Sequence, residues 1–487
     1  METCTRVLTA YLQRYAQRKA AFPCHPQDSP RRARRLLDLW GAPDRGLLIV
    51  RVVGTKGKGS TAAMLAAIVQ AAGYSVGLFT SPHLHSPRER IQVAGRPIGR
   101  AALDAALATL YKILLGSLAW DDIGPATLFE GLTALAAAHF AQRGVDLAVF
   151  EAGMGGRSDA THALDPLLTL LTPIALDHQA YLGATLEAIA AEKAGAIPPG
   201  GVVLSAPQPP AVQAVIAARC REVGAMLWGG GFADLPPRPS DLLPRPSDLP
   251  PRPPDLPPRP PSLKGGGGLE SGTGAGGRPA SGVKLTPMGG DTSPGLQGPH
   301  QAVNAGLALA AVDILREMGW SIPQEAAVEG LRGVHWPGRL ETVAGRPLTL
   351  VDAAHNPAAA EALAAALAAG WPQRPRILLL GCSADKDLAG IAAALAPLTD
   401  GVVLTRAQHH RAAAPEEMAV LWQAHGVPTE IVPAVPGALP RARAWAGPAG
   451  LVCACGSFFV VAEVREALGL AVREAWPEPM GDKEKRQ

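Results

Sequence analysis

The stretch Gly54-Thr55-Lys56-Gly57-Lys58-Gly59-Ser60-Thr61 constrains this chain's fold more than any other segment. It follows an apolar run, Leu47 to Val53, and opens an alanine-rich pattern of helical spacing. That order reads as strand, glycine loop, helix. Glycines let successive backbone N–H groups turn inward around a phosphate, the helix N-terminus adds positive potential, and a lysine reaches the terminal phosphates. The spacing departs from G-x-x-x-x-G-K-[ST], because Gly59 stands between Lys58 and Ser60. ATP binding is the expectation, and a bare glycine turn is the alternative that the loop alone leaves open.

From residue 47 to about 205, short β-rich runs alternate with helical stretches: Ser75 to Phe79, Leu147 to Phe150, Leu168 to Ala175 and Val202 to Leu204. Alternation of this kind predicts a mostly parallel sheet covered by helices, with ligands at the carboxyl ends of its strands. A second alternation begins near residue 348, with strands expected at Leu348 to Ala353, Ile377 to Gly381, Gly401 to Thr405 and Leu451 to Cys455. Helices are expected at Leu296 to Met318, Ala358 to Ala369 and Phe459 to Leu468. The expected fold class is α/β: a P-loop parallel-sheet N-terminal domain over residues 1–335, a smaller C-terminal α/β domain over 336–475, and a tail over 476–487.

After Phe232 a seven-residue repeat begins, with copies starting at Asp234, Asp241, Asp248 and Asp255. Proline at that density excludes helix and sheet interiors, so extended polyproline II is expected, followed by a glycine-rich run from Gly265 to about Gly277. The insertion, about residues 233–285, reads as a solvated local duplication, with a docking site for a proline-recognising partner as the competing reading.

A formal charge of +3 on 487 residues gives no whole-protein basic field, so no nucleic-acid partner is expected and anion binding must be local. Six scattered cysteines without a C-x-x-C pair give neither a disulfide framework nor a zinc site, and fit a reducing cytoplasm. Cys453 and Cys455 read as small core residues. No run of roughly 18 apolar residues occurs, so no membrane span is expected. At the N-terminus, Arg6, Arg14, Arg18 and Lys19 among Val7, Leu8, Tyr11 and Leu12 read as an amphipathic helix rather than a secretory signal.

Three strand-end segments place hard ligands where a nucleotide's metal would sit. Ser81 follows Ser75 to Phe79, and Glu151 ends Leu147 to Phe150 ahead of Gly153-Met154-Gly155-Gly156. Asp177-His178 follows the strand ending near Ala175. A hydroxyl, a carboxylate and an imidazole so placed can complete a magnesium shell shared with ATP phosphates. Lys193, in Ala190-Ala191-Glu192-Lys193-Ala194-Gly195, reads by itself as a lysine on a solvated helix face.

Taken together, these segments resemble the folylpolyglutamate synthase and dihydrofolate synthase family, within the ATP-dependent amino-acid ligases that include the cell-wall Mur ligases. The resemblance runs in order over about 400 residues: GTKGKGS, TSPHL, RERI (Arg88 to Ile91), LFEGLT (Leu128 to Thr133), EAGMGGRSDAT, LDHQAYLG, IAAEKAG, HQAVNA (His300 to Ala305), WPGRLE, DAAHNP, SADKD and GSFF. It implies ATP held in a cleft between the P-loop domain and a Rossmann-like C-terminal domain. Position by position, it implies that Gly57, Lys58, Gly59 and Ser60 cradle phosphates, while Ser81, Glu151 and His178 bind magnesium. It implies that Lys193 becomes carbamylated and holds a second magnesium. Asn304, Arg339 and Asp352 match ATP-contacting positions. Thr127, Phe129 and Glu130, with Ser158, Asp159 and Ala160, match the region lining the pterin pocket. Glutamate is expected near His355 and Ser383. Lys58, Lys193, His178 and His355 are thus the expected catalytic set.

The implied activity is ATP-dependent addition of L-glutamate to a reduced folate, and also to dihydropteroate, by a cytoplasmic monomer acting on small molecules. A cell-wall ligase and a non-catalytic ATP-binding scaffold using the proline-rich repeat are the rival readings. The sequence departs from the family pattern at Lys56 and His162, each commonly asparagine there. It also lacks, within Ala21 to Trp40, the leucine-glycine-leucine segment associated with pteroate binding.

Overall fold

The computed structural model describes residues 25–229 and 295–474, with positions 11, 13–15, 17 and 18. The expected proline-rich insertion, the tail and much of the N-terminal helix lie outside the described residues.

Two sheets organise the chain. The first has eight strands in the order β4-β3-β2-β5-β1-β6-β7-β8. They are β1 (Ile49–Val53), β2 (Val76–Phe79), β3 (Ile91–Val93), β4 (Arg96–Pro97), β5 (Leu147–Glu151), β6 (Leu168–Leu171), β7 (Val202–Ser205) and β8 (Met226–Gly229). From β2 through β8 the pairing is parallel, with Ile49 opposite Ala148 and Val50 opposite Leu168. β3 and β4 form an antiparallel edge. The five residues of β1 and of β5 are all buried, as expected of central parallel strands covered on both faces.

One face packs on helices Lys58–Ala71, Pro299–Glu317 and Gln324–Gly333 through Met64, Ile68, Leu315 and Leu331. The other packs on Ser29–Leu39, Arg100–Ser117 and Leu128–Gln142 through Leu36, Leu110 and Leu135. Each fully buried leucine of this kind contributes roughly 1.5–3 kcal/mol.

The second sheet has six strands in the order β13-β12-β11-β14-β10-β9. These are β9 (Glu341–Gly345), β10 (Leu348–Val351), β11 (Arg376–Leu380), β12 (Gly401–Arg406), β13 (Thr429–Ala434) and β14 (Leu451–Cys455). All pairs are parallel except β9 with β10. Cys453 and Cys455 are fully buried in β14, and all four described cysteines are free.

The alternating runs appear as strands, with two kinds of departure. The strand expected through Ala175 stops at Leu171, because Pro173 has no N–H to give to a ladder and its carbonyl instead accepts the N–H groups of Thr55 and Lys56, both at 3.1 Å. The edge strands β4, β8, β9 and β13, and the three-residue β3 beside β4, carry weak sequence patterns, since a short strand with a wet face lacks the continuous apolar run of a central one. Among the described residues, no helix is long and apolar enough to cross a membrane.

Candidate active site

A cavity of about 480 Å³ lies where the carboxyl ends of the two sheets face each other. The first lobe supplies loops that follow four adjacent strands: Gly54–Ser60 after β1, Ser81–His83 after β2, Gly153 and Met154 after β5, and Asp177–His178 beyond β6. The second lobe supplies Asp352–Asn356 after β10, Ser383 and Lys386 after β11, and Ser457–Phe459 after β14. Four helices begin at its wall, Lys58–Ala71, Pro299–Glu317, Pro357–Gly370 and Phe458–Ala467, so their unpaired N–H groups and dipoles favour anions there.

The loop geometry explains its glycines. Gly57 has φ +79° and caps the helix Lys58–Ala71, and a Cβ on it would collide with the Asn304 side chain. Asn304 in turn donates to Gln301 Oε1 at 2.8 Å. A Cβ on Gly156 would lie 2.6 Å from the Lys193 carbonyl oxygen, so the GMGG run lets the helix Leu186–Ala194 approach.

Glu151 is 5% exposed and accepts the Ser81 N–H at 3.0 Å. A Cβ on Gly59 would be 3.4 Å from its Oε2, which puts the carboxylate over the mouth of the P-loop. Burial pushes its pKa up, while Lys58, the Ser81 N–H, Arg339 and Arg90 pull it back. Lys193 is 4% exposed and donates to the Gly54 carbonyl at 2.9 Å. Burial, then the nearby Lys58 charge, brings its pKa down to about 7, despite Asp177, Asp159 and Glu192. The solvated-face reading of this lysine is therefore corrected: the helix turns it inward, beneath the P-loop.

His178 has φ +51°, a left-handed conformation rare outside glycine and typical of functional loops. Its N–H is held by Asp177 Oδ1 at 2.9 Å. Asp177 Oδ2 accepts from Asn356 Nδ2 at 2.9 Å, and Lys386 Nζ stands 4.0 Å from Oδ1, so this first-lobe carboxylate is bound by the second lobe.

Asp352 is buried and accepts the N–H groups of Leu340 and Ala354, each at 2.9 Å. Burial raises its pKa, with Arg339 the main opposing charge. His355 Nδ1 donates to the Ala353 carbonyl at 2.8 Å. Burial lowers the ring's pKa to about 4, which keeps it neutral with Nε2 as an acceptor.

The cavity wall thus contains Gly57, Lys58, Gly59, Ser60, Ser81, Glu151, His178, Lys193, Asn304, Arg339, Asp352, His355 and Ser383. The six residues expected around a pterin are not on that wall. Thr127 caps the helix Leu128–Gln142, its hydroxyl accepting the Glu130 N–H at 3.2 Å. Glu130 returns a bond to the Thr127 N–H at 2.7 Å and is gripped by Arg32, with Nη2 to Oε1 at 2.8 Å and Nε to Oε2 at 3.0 Å. Asp159 accepts the N–H groups of Gly153 and Met154 at 2.9 and 3.0 Å, Ser158 donates to Glu192 at 2.6 Å, and Ala160 is buried. Asp159 thereby holds the loop Gly153–Met154 behind the cavity. The Phe129 ring lies against Gly153 on the wall.

Sequence reasoning assigned no role to Asp177, Asn356, Lys386, Arg411 or Phe458, all of them on the wall. Four lie inside quoted motifs, LDHQAYLG, DAAHNP, SADKD and GSFF, and only the meeting of the two lobes gives them a shared location. Among the described residues, no group of three or more His, Cys, Asp or Glu side chains is arranged to hold a metal ion by itself.

Comparison with known proteins agrees with this architecture. The family pattern described as "Mur ligase, glutamate ligase domain" matches residues 338–458. The chain is 36% identical to the dihydrofolate synthase/folylpolyglutamate synthase of Mycobacterium tuberculosis over 79% of this chain and 75% of that protein. It is also 36% identical to a probable bifunctional folylpolyglutamate synthase/dihydropteroate synthase of Haloferax volcanii, over 90% of this chain. It spans about half of that longer protein, 48%. Among solved structures, M. tuberculosis folylpolyglutamate synthase with ADP and AMPPCP superposes with a TM-score of 0.75 at 32% identity, covering 95% of this chain and 99% of that one. The bifunctional enzyme of Yersinia pestis with AMPPNP and a Mn ion gives 0.69 at 28% identity, covering 90% and 93%. The chain belongs to the folylpolyglutamate synthase/dihydrofolate synthase family, whose curated members are ligases.

Proposed function

We propose that this chain is an ATP-dependent ligase that joins the amine of L-glutamate to the carboxylate of a reduced folate, with dihydropteroate as a second acceptor. The observation that carries the reading is one cavity in which the P-loop, Glu151 and Lys193 of the first lobe face His355, Ser383 and Lys386 of the second. A carboxylate resists attack by an amine until one oxygen becomes a good leaving group. Transfer of ATP's terminal phosphoryl group to the acceptor carboxylate makes an acyl phosphate and releases ADP. The glutamate amine then attacks the acyl carbon, and phosphate leaves.

In this reading Gly57, Gly59 and Ser60 offer N–H groups to the phosphates, and the Lys58 ammonium offsets charge on the transferring group. Asn304, Arg339 and Asp352 hold the rest of the nucleotide. Lys386 and Ser383 receive glutamate carboxylates, and the neutral His355 ring accepts a hydrogen bond from its amine through Nε2. Thr127, Phe129, Glu130, Ser158, Asp159 and Ala160 are assigned to the pterin side, where Asp159 holds the loop Gly153–Met154 through both N–H groups and the Phe129 ring packs on Gly153.

The donor set fits magnesium. One buried carboxylate, Glu151, stands beside the Ser81 segment and the P-loop without an all-protein cage, and magnesium characteristically takes one or two carboxylates plus substrate phosphates. Glu151, Ser81 and His178 would hold it, and it would supply charge stabilisation at the phosphoryl oxygens. The Y. pestis relative binds AMPPNP with Mn, which supports a divalent ion at this site. Lys193, with its near-neutral amine, is proposed to be carbamylated and to provide a second carboxylate.

The remaining parts of the reading are a cytoplasmic monomer with no nucleic-acid or membrane partner, and domains at residues 1–335 and 336–475 with a tail at 476–487. The free, buried thiols support the location. The deciding experiment supplies purified protein with ATP, magnesium and glutamate, and offers dihydropteroate, reduced folates and a muramyl nucleotide in parallel. Glutamate-dependent ADP release with a folate is expected. Release only with the muramyl nucleotide overturns the reading.

A further inference from the structure

The loop after β2 reaches beyond the Ser81 segment. Its far half leaves the first lobe: Leu84 packs on the second-lobe cluster that contains Val351, Val460 and Val461, and His85 is 6% exposed. Glu89 stiffens this stretch by accepting the N–H groups of Leu84, His85 and Ser86 at 2.8, 3.0 and 2.8 Å. Pro87 opens the capped turn that follows.

His85 lies between two neighbouring side chains of the helix Phe458–Ala467. Arg465 Nε donates to its Nε2 at 3.1 Å, and Glu466 Oε1 is 3.1 Å from its Nδ1. A guanidinium has no acceptor, so Nε2 must be the bare nitrogen and Nδ1 carries the proton donated to Glu466. Arg465 continues through Nη1 to Glu341. The other oxygen of Glu341 accepts the Gly338 N–H at 2.9 Å.

Gly338 directly precedes Arg339 on the cavity wall, and a Cβ there would stand 3.4 Å from Leu84 Cδ1, so the two segments also touch. One chain of hydrogen bonds, Glu466–His85–Arg465–Glu341–Gly338, therefore ties the loop carrying Ser81 to the turn carrying Arg339. Its flank is closed by Glu474, which takes Arg88 Nη2 and Ser86 Oγ, both at 2.6 Å, and donates its N–H to the His85 carbonyl at 2.8 Å.

We propose that His85 is a positioning residue that registers the Ser81 segment of the first lobe against the Arg339 turn of the second. Its effect on turnover rests on the ligase reading above; its effect on nucleotide affinity rests on nucleotide binding alone. The ring is suited to the task because it presents one donor and one acceptor at a fixed separation between a carboxylate and a guanidinium. Loss of both nitrogens leaves two partly buried charged groups without that partner and frees the lobes to shift, and a displacement of about 1 Å can lower a rate roughly 100-fold.

The test uses the full chain with His85→Phe, which keeps a ring and removes both nitrogens, and His85→Gln, which keeps one donor and one acceptor. Calorimetry reads the affinity for magnesium-AMPPNP, and ADP release reads kcat and each KM. His85→Phe is expected to weaken analogue binding about tenfold and to lower kcat by roughly 100-fold. His85→Gln is expected to restore most of both. A cycle of His85→Phe with Glu341→Gln should be non-additive in analogue affinity. Unchanged affinity in His85→Phe, equal losses in Phe and Gln variants, or an additive cycle would each overturn the inference. If the wild-type protein turns over no folate, the ligase reading fails while the affinity comparison still decides this one. If His85→Phe does not fold, Glu341→Gln takes its place, with weaker analogue binding expected and unchanged binding overturning the inference.

Discussion

Removing carbon dioxide should switch this protein off, and the reason lies in the environment of Lys193. Its amine is buried, donates to the Gly54 carbonyl at 2.9 Å and shares the cavity with Lys58. Burial first, and Lys58 second, bring its pKa from 10.5 to about 7. At pH 7 an ordinary lysine is neutral in only about 3 molecules in 10,000, whereas this one is neutral in about half. Carbon dioxide adds only to the neutral amine, so the reactive population rises roughly 1,000-fold. The same fall penalises the charged amine by roughly 5 kcal/mol at about 1.4 kcal/mol per tenfold change. The unfolded chain holds a proton that the folded chain releases between pH about 7 and 10.5, so without carbon dioxide stability should rise with pH across that window. The assay pairs ¹³C NMR after labelled bicarbonate with ADP release in carbon-dioxide-free buffer. A carbamate signal absent from Lys193→Arg is expected, with activity lost without carbon dioxide and restored by bicarbonate. No carbamate signal at pH 8, together with full activity in carbon-dioxide-free buffer, would refute the reasoning.

Three other outcomes follow from the same structure. Lys58→Ala should lower ADP release by about 100- to 1,000-fold with circular dichroism unchanged, and an unaltered rate would mean the P-loop lysine does not face the transferring phosphate. Arg32→Met strands the Glu130 carboxylate, 1% exposed, and should cost about 3–5 kcal/mol in urea unfolding, while Arg32→Met with Glu130→Leu should recover most of it; a single variant as stable as wild type would refute the pairing. Deleting residues 233–285, which lie outside the described residues, should leave kcat and each KM nearly unchanged, and a large loss with the fold preserved would point to a working role for the repeat.

Much of the site's first half was legible in the chain itself, because parallel strands announce themselves by short apolar runs and the residues at their carboxyl ends follow by counting. Ser81, Glu151 and Lys58 were located that way, and the glycines at positions 57 and 156 meet steric demands visible in the fold. Local pattern has no access to distance across the molecule. Glu130 matched a pterin-lining position, yet whether it met a substrate or Arg32, 98 residues earlier, depended on how the helices Ser29–Leu39 and Leu128–Gln142 pack. Lys193 reads as a solvated lysine until the Gly156 backbone admits its helix and the interior lowers its pKa. Asp177 met Asn356 across 179 residues, and His85 met Arg465 across 380, because the two sheets place their carboxyl ends face to face. Sequence by itself determined the central strands, the phosphate loop and the residue types at their ends, since these depend on neighbours along the chain. Only tertiary structure decided which charges are buried and which lobe answers which, since desolvation and contact depend on neighbours in space.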